Sequence, residues 1–151
     1  MRLRYPRRAR RRGNVIVEFA LAFPLLFVFL GGMFQFGHAF YVYNELQSAV
    51  RAGVRYAAQA DFDGDGGGTD FRARVRSMVV HGSPVAPSGT PPLVNGLTTG
   101  NVTVNWQADG AGIPQTITVN INDFTIHAVW GSFTLANKPR STFIWLGQYV
   151  T

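Results

Sequence analysis

The sequence predicts an α+β protein in which a long N-terminal helix carries a small antiparallel β-sheet domain packed on its outer half. Three patterns predict this fold. An apolar run follows a basic N-terminus, an amphipathic helical pattern follows that run, and segments of alternating apolar and polar residues lie towards the C-terminus. A chain of 151 residues has room for one modest domain and an appendage, which excludes a large two-domain enzyme.

The basic charge is concentrated in the first twelve residues. Seven of the 14 basic residues lie there, and the rest of the chain holds seven basic residues against eight acidic ones, a net charge of −1. A nucleic-acid partner is therefore not expected. The absence of cysteine excludes a disulfide framework, a Cys-based zinc site and thiol catalysis.

The apolar run is typical of a membrane span. From Val15 to Phe34 the only charged residue is Glu18, and a helix needs about 20 such residues to cross a bilayer. The arginines before the run predict a cytoplasmic N-terminus and an extracytoplasmic body. A buried core helix is the poorer alternative, because the run has no polar face. A cleaved secretory signal peptide is also poorer, because the nearest A-x-A-like site is Ala58-Gln59-Ala60.

Glu18 is the unusual residue of the run, because a carboxylate inside a membrane is costly. A functional role and a simple location among the lipid headgroups are both open on physical grounds. Pro24 removes one helical hydrogen bond, and the glycines that follow it allow another helix to approach closely.

The order of these features resembles the class III signal sequence of type IV pilins and, more closely, the TadE-like family of the tight-adherence (Tad, Flp) pilus systems. The resemblance covers roughly residues 10 to 60. It rests on Arg12-Gly13, Glu18-Phe19, Pro24-Leu25, Phe36-Gly37, the aromatic segment 40–43 and the segment Ala49-Val50-Arg51-Ala52-Gly53-Val54-Arg55-Tyr56-Ala57-Ala58.

This resemblance implies a pilin-like fold and a processed membrane protein. A prepilin peptidase would cut after Gly13, making Asn14 the first residue and Glu18 the fifth. The implied organisation is a leader (1–13), a transmembrane helix (14–36), its extracytoplasmic continuation (37–60) and an α+β domain (61–151). The implied location is the bacterial inner membrane or a pilus, and the implied partners are the lipid bilayer, the peptidase and other pilins or pseudopilins.

Two departures favour a minor pseudopilin over the main filament subunit. Glu18 is followed by Phe19, where major Flp pilins are described with tyrosine, and the mature chain is far longer than theirs. Cleavage would free an ammonium on Asn14, with which Glu18 can pair. An unpaired charge in a helix bundle is costly, so such a pair would set the register between subunits.

The helix should continue to about Ala60. An apolar stripe with three- and four-residue steps predicts this, formed by Phe40, Tyr43, Leu46, Val50, Val54 and Ala57. A second helix is expected from about Phe71 to His81, capped by Thr69 or Asp70. Arg72, Arg74 and Arg76 should be mostly solvated on it and able to pair with the aspartates before it.

The segment between the two helices suggests a calcium site. Asp61, Asp63 and Asp65 occupy positions one, three and five of an EF-hand-like loop, but Arg72 stands where the bidentate glutamate is needed. A looser calcium site that includes Asp70 and a solvated turn without metal are both open, and no other cofactor is expected.

The C-terminal part should form the sheet. Residues 101–107 and 115–122 alternate, and Asp109-Gly110-Ala111-Gly112 marks a hairpin turn between them. Residues 124–130 and 141–150 are also strand-like. The alternating apolar residues are interpreted as core positions and not as a ligand face.

The sequence contains no recognised catalytic motif, and its three histidines stand in different elements. We therefore expect no enzyme. Three hypotheses follow: a minor pseudopilin in pilus assembly and surface attachment, an unprocessed single-pass assembly factor, and a calcium-dependent binding module.

Overall fold

The computed structural model describes residues 12–63, 69–128, 131–147 and 149–150. Helix α1 spans Arg12–Gln59, with Pro24 inside it, which confirms the predicted long helix. The chain divides into two compact units, one ending at Gly37 and the other beginning at His38. The second unit contains the last part of α1 and all other elements.

The second unit alternates short elements with loops. After α1 come strand β1 (Phe62–Asp63), helix α2 (Thr69–His81) and a 3₁₀ turn (Thr99–Asn101). The remaining strands are β2 (Val102–Ala108), β3 (Pro114–Ile121), β4 (Phe124–Ala128), β5 (Gly131–Leu135), β6 (Arg140–Ile144) and β7 (Tyr149–Val150).

Within the described part of the chain, the strands form three separate sheets. Strands β2, β3 and β6 make an antiparallel sheet in that order, β4 pairs with β5, and β1 pairs with β7 in parallel. The expected β2–β3 hairpin is confirmed, and Gly112 donates its N–H to Asp109 O across the turn (3.1 Å). The strand-like segment 141–150 contains most of β6 and all of β7, and between them Leu146 bonds to α1.

The hydrophobic core lies between α1, α2 and the three-stranded sheet. The sheet domain thus packs on the outer half of α1, as predicted. The core includes Leu46 and Val54 of α1, Phe71 of α2 and Ile117 of β3, all 2% exposed or less. The predicted stripe on α1 is wrong at Phe40, which is 69% exposed. Ala39 and Val42 contact the core at that level instead.

Two contacts fix the helices and the C-terminal strands together. At Gly53 a Cβ atom would overlap the side chain of Val79, so glycine allows α1 and α2 to approach. After β6, Leu146 donates its N–H to Ala58 O (2.7 Å) and the Trp145 indole donates to Ala60 O (3.2 Å).

The arginines of α2 differ from the solvated face that was expected. Arg72 lies over the ring of Trp106 at 4.3 Å, and Arg76 Nε donates to Val102 O (3.0 Å). Arg74 donates to the main-chain oxygen of Asp61 (3.0 Å) and not to its carboxylate. These half-buried side chains join α2 to its neighbours, so they do not form a free basic patch.

Candidate processing and assembly site

The predicted cleavage point lies in the first turn of α1. Gly13 and Asn14 are the second and third residues of the helix, and both are exposed. The first N–H groups of a helix have no intrahelical acceptors, so this turn opens at low cost. A Cβ at Gly13 would meet nothing within 4 Å. The described residues therefore leave the side of Gly13 open, and cleavage after it stays a prediction.

Glu18 follows Asn14 by four residues, which places both on one face of the helix. Its side chain is exposed and makes no hydrogen bond or ion pair with any residue in the described part of the chain. Its neighbours are apolar: Val15, Val17 and Phe19 are exposed as well. In a membrane this carboxylate is costly unless it reaches the headgroups or a cationic partner, so its role stays a prediction.

Phe19 begins a row of aromatic rings along α1. Its ring centroid lies 5.6 Å from that of Phe23, which in turn lies 6.4 Å from that of Phe27. The four-residue spacing brings these rings onto one stripe. The stripe is an apolar surface available to lipid or to another helix.

The N-terminal part of α1 meets the physical requirements of a membrane span. The helix from Gly13 to Gln59 contains an 18-residue window with a mean hydropathy of 2.3, none of it buried. A Cβ added at Gly32 or Gly37 would meet nothing within 4 Å. An all-apolar exposed surface of this length is unfavourable in water, so it indicates a membrane or helix-bundle environment.

The calcium hypothesis falls largely on undescribed positions. Asp65 and the side chain of Asp63 lie outside the described residues, while Asp61 and Asp70 are both exposed. Among the described residues, no three His, Asp or Glu side chains are grouped as metal ligands. Arg72, at the twelfth loop position, lies on Trp106 and offers no ligand. The calcium site stays a prediction.

Two features near the start of the second unit were missed from the sequence. The Tyr41 hydroxyl donates to Glu45 Oε1 (2.6 Å), and this bond raises the pKa of Tyr41. His38 and His127, remote in sequence, line the same groove of about 320 Å³, together with Val94 and Phe124. The four-residue spacing of Tyr41 and Glu45 is a sequence signal that could have indicated their hydrogen bond. The groove lined by His38 and His127 is visible only in the tertiary structure.

The model of the family described as TadE-like protein matches residues 13–55. Nothing matches among curated proteins or among solved structures. The matched segment contains Gly13, Asn14, Glu18 and Phe19 and ends four residues before α1 does. The sequence resemblance is thereby confirmed over residues 13–55, and this segment of the chain is similar to the TadE-like family.

Proposed function

We propose that the protein is a minor pseudopilin of a Tad/Flp-type adhesive pilus. In this role prepilin peptidase cuts it after Gly13, and it takes part in pilus assembly and surface attachment. The observation that carries the proposal is the TadE-like match over the same residues that form an exposed apolar helix containing Glu18. The protein is then a substrate of the peptidase and not itself an enzyme.

The charge distribution supports this route. Before cleavage, seven arginines hold the N-terminus on the cytoplasmic face of the inner membrane. Cleavage removes all seven and leaves one ammonium at Asn14. The helix loses its anchor at that face, so its extraction from the bilayer into a filament costs less.

In this proposal, Glu18 sets the axial register between neighbouring subunits. In a filament core the exposed apolar side chains of α1 lie against neighbouring helices, where the dielectric is low. A carboxylate there is stable only with a cationic partner. The Asn14 ammonium of the same or an adjacent subunit is of the right charge and lies one helical turn from Glu18 in the sequence.

The experiment compares Glu18→Gln with Glu45→Gln, which removes the same charge from the same helix outside the proposed span. Both variants are expressed in a pilus-forming strain, and sheared filaments are probed for the chain. We expect Glu18→Gln to lower incorporation at least about tenfold, the effect of losing roughly 1.4 kcal/mol of pairing energy. Glu45→Gln should match the wild type, because a glutamine still accepts the hydrogen bond from Tyr41.

Two alternatives give different results. An unprocessed assembly factor would stay in the membrane with its leader, while its deletion would still abolish pili. A calcium-dependent binding module would gain thermal stability on calcium addition, and Asp65→Asn would remove that gain. Equal incorporation of both glutamate variants would contradict the register role of Glu18.

A further inference from the structure

The outward face of the three-stranded sheet is mainly polar, and the exposed Ile144 lies at its edge, opposite Thr116 at the end of β6. On β2 and β3 the side chains alternate, so Val104, Ile117 and Val119 enter the core. The opposite face carries two cross-strand rows, Asn105–Thr118–Thr142 and Thr103–Asn120–Arg140. Strands lie about 4.8 Å apart, so each row spans roughly 10 Å.

This face contains a concavity of about 380 Å³, within the range of roughly 300–1,000 Å³ that is typical of small-molecule sites. Its described lining residues bear amides, hydroxyls and one cation, with no carboxylate: Asn105, Trp106, Gln107, Thr116, Thr118, Asn120, Asn137, Arg140 and Thr142. The Trp106 ring itself packs on the core side, against Phe62 and Phe71.

Asn120 is the fixed centre of the concavity. It is only 5% exposed, and its amide nitrogen donates to the side-chain oxygens of Asn122 and Asn137 (both 3.2 Å). Both hydrogens of the side-chain amide are thus used. The side-chain oxygen of Asn120 (Oδ1) accepts no hydrogen bond from any described residue. This oxygen is not among the buried side-chain atoms that lack a partner, so it retains access to solvent and can accept a hydrogen bond from a molecule in the concavity.

Hydrogen-bond donors that are not fully used line the same concavity as the Asn120 oxygen. The Thr118 and Thr142 hydroxyls lie 2.8 Å apart, and one hydrogen suffices for that bond, so the other can be donated outward. The Asn105 amide makes no hydrogen bond with the described residues, and the Arg140 guanidinium makes neither a hydrogen bond nor an ion pair with them. Arg140 stands directly opposite Asn120 in the sheet.

We infer that this concavity binds a carbohydrate that carries a carboxylate. Sugar hydroxyls both donate and accept, as the amides and hydroxyls here require, and a guanidinium binds a carboxylate through two parallel hydrogen bonds. A protein partner is disfavoured, because protein interfaces have an apolar centre, whereas the centre of this face is formed by Thr118 and Asn120. A cationic ligand is disfavoured by Arg140. The inference is independent of the proposed pilus role.

The test uses the full chain in detergent micelles and isothermal titration calorimetry. The probes are tetragalacturonate and tetramannuronate, with maltotetraose as the uncharged probe. At least one acidic probe should bind saturably and at least about tenfold more tightly than maltotetraose, the expected gain from one bidentate ion pair. Arg140→Gln should reduce its affinity to the level of maltotetraose, and Asn105→Ala should weaken it several-fold.

The matched control is Arg51→Gln, which removes an exposed arginine of α1 away from this face. It should leave the affinity within about twofold of the wild type. The inference is overturned if neither acidic probe binds saturably. It is also overturned if Arg140→Gln binds like the wild type, or if Arg51→Gln weakens binding as much, since that would indicate unspecific charge attraction.

Discussion

At the scale of single residues, Gly53 shows how closely the two helices pack. A Cβ atom at this position would overlap Val79, whose β-branched side chain has little freedom to rotate within a helix. Gly53 lies in the segment matched to the TadE-like family. The close packing of α1 on α2 therefore explains why glycine stands at this position, without any role in the membrane.

Gly53→Ala should destabilise the protein although alanine is the better helix former. The overlap costs about 1–3 kcal/mol, against a gain in helix propensity of about 1 kcal/mol. We expect a net loss of up to about 2 kcal/mol in chemical unfolding of the full chain in detergent. Gly110→Ala is the control, since a Cβ there meets nothing within 4 Å. A stabilised Gly53→Ala protein would show that the helices are further apart.

Asp109 makes the β2–β3 hairpin sensitive to pH. Its Oδ1 accepts the N–H groups of Ala111 (2.9 Å) and Ile113 (3.0 Å), and the hydrogen bonds from Ile113 and then Ala111 lower the pKa of Asp109. In the unfolded chain an aspartate has a pKa of about 3.9. The unfolded state therefore takes up the proton first as the pH falls.

It follows that the stabilisation from Asp109 is complete above about pH 3.9 and is lost as the pH falls through the lower pKa of the folded state. Asp109→Asn should flatten this part of the acid dependence in urea unfolding between about pH 5 and pH 2.5. Asp123→Asn is the matched control, because the Asp123 carboxylate bonds to no described residue. An unchanged acid dependence in Asp109→Asn would contradict the assignment.

At the scale of elements, α2 is held to the sheet by polar contacts as well as by its apolar face. Arg76 is half-buried and satisfies the main-chain oxygen of Val102 at the start of β2. An arginine is needed because its planar group donates from Nε while its stem packs on the core.

Arg76→Met keeps the apolar stem and leaves the Val102 oxygen without its donor. We expect a loss of about 1–3 kcal/mol in the free energy of unfolding, the usual cost of an unsatisfied buried acceptor. The control Arg55→Met changes an exposed arginine of α1 and should stay within about 0.5 kcal/mol. Equal effects of both variants would contradict a specific role for Arg76.

The elements also show which parts of the fold are readable from sequence. The helices and the β2–β3 hairpin follow from local signals, namely periodicity and the Asp109 turn. Strand β5 has no such signal, because four of its five residues are exposed and no alternation marks a buried face. Strands β1 and β7 have two residues each and exist only through their mutual pairing. Such pairing depends on the tertiary structure.

The candidate sites divide in the same way. Gly13, Asn14, Glu18 and Phe19 come from a motif whose order is visible in the sequence, although their roles stay predictions. The polar concavity was missed because alternation shows which residues face outward but not that their faces curve around Asn120. Asn137 also lines the concavity: it adopts a left-handed backbone (φ 57°) before β6, and its side-chain oxygen accepts a hydrogen bond from Asn120.

At the scale of the whole molecule, charge and hydropathy separate the chain into regions with different environments. The formal charge of +6 becomes −1 when the seven leader arginines are removed. Among the residues the structure describes, the most apolar 18-residue window of α1 is not buried. The second unit has its own buried core. This organisation suits a subunit that leaves the membrane after processing.

The most direct test of this account is the intact mass of the chain from its native membranes, with and without prepilin peptidase. The account predicts a chain that starts at Asn14 in the presence of the peptidase and one that retains the arginine-rich leader in its absence. A chain that keeps residues 1–13 in both strains would contradict the pseudopilin route and leave a membrane-anchored assembly or binding protein.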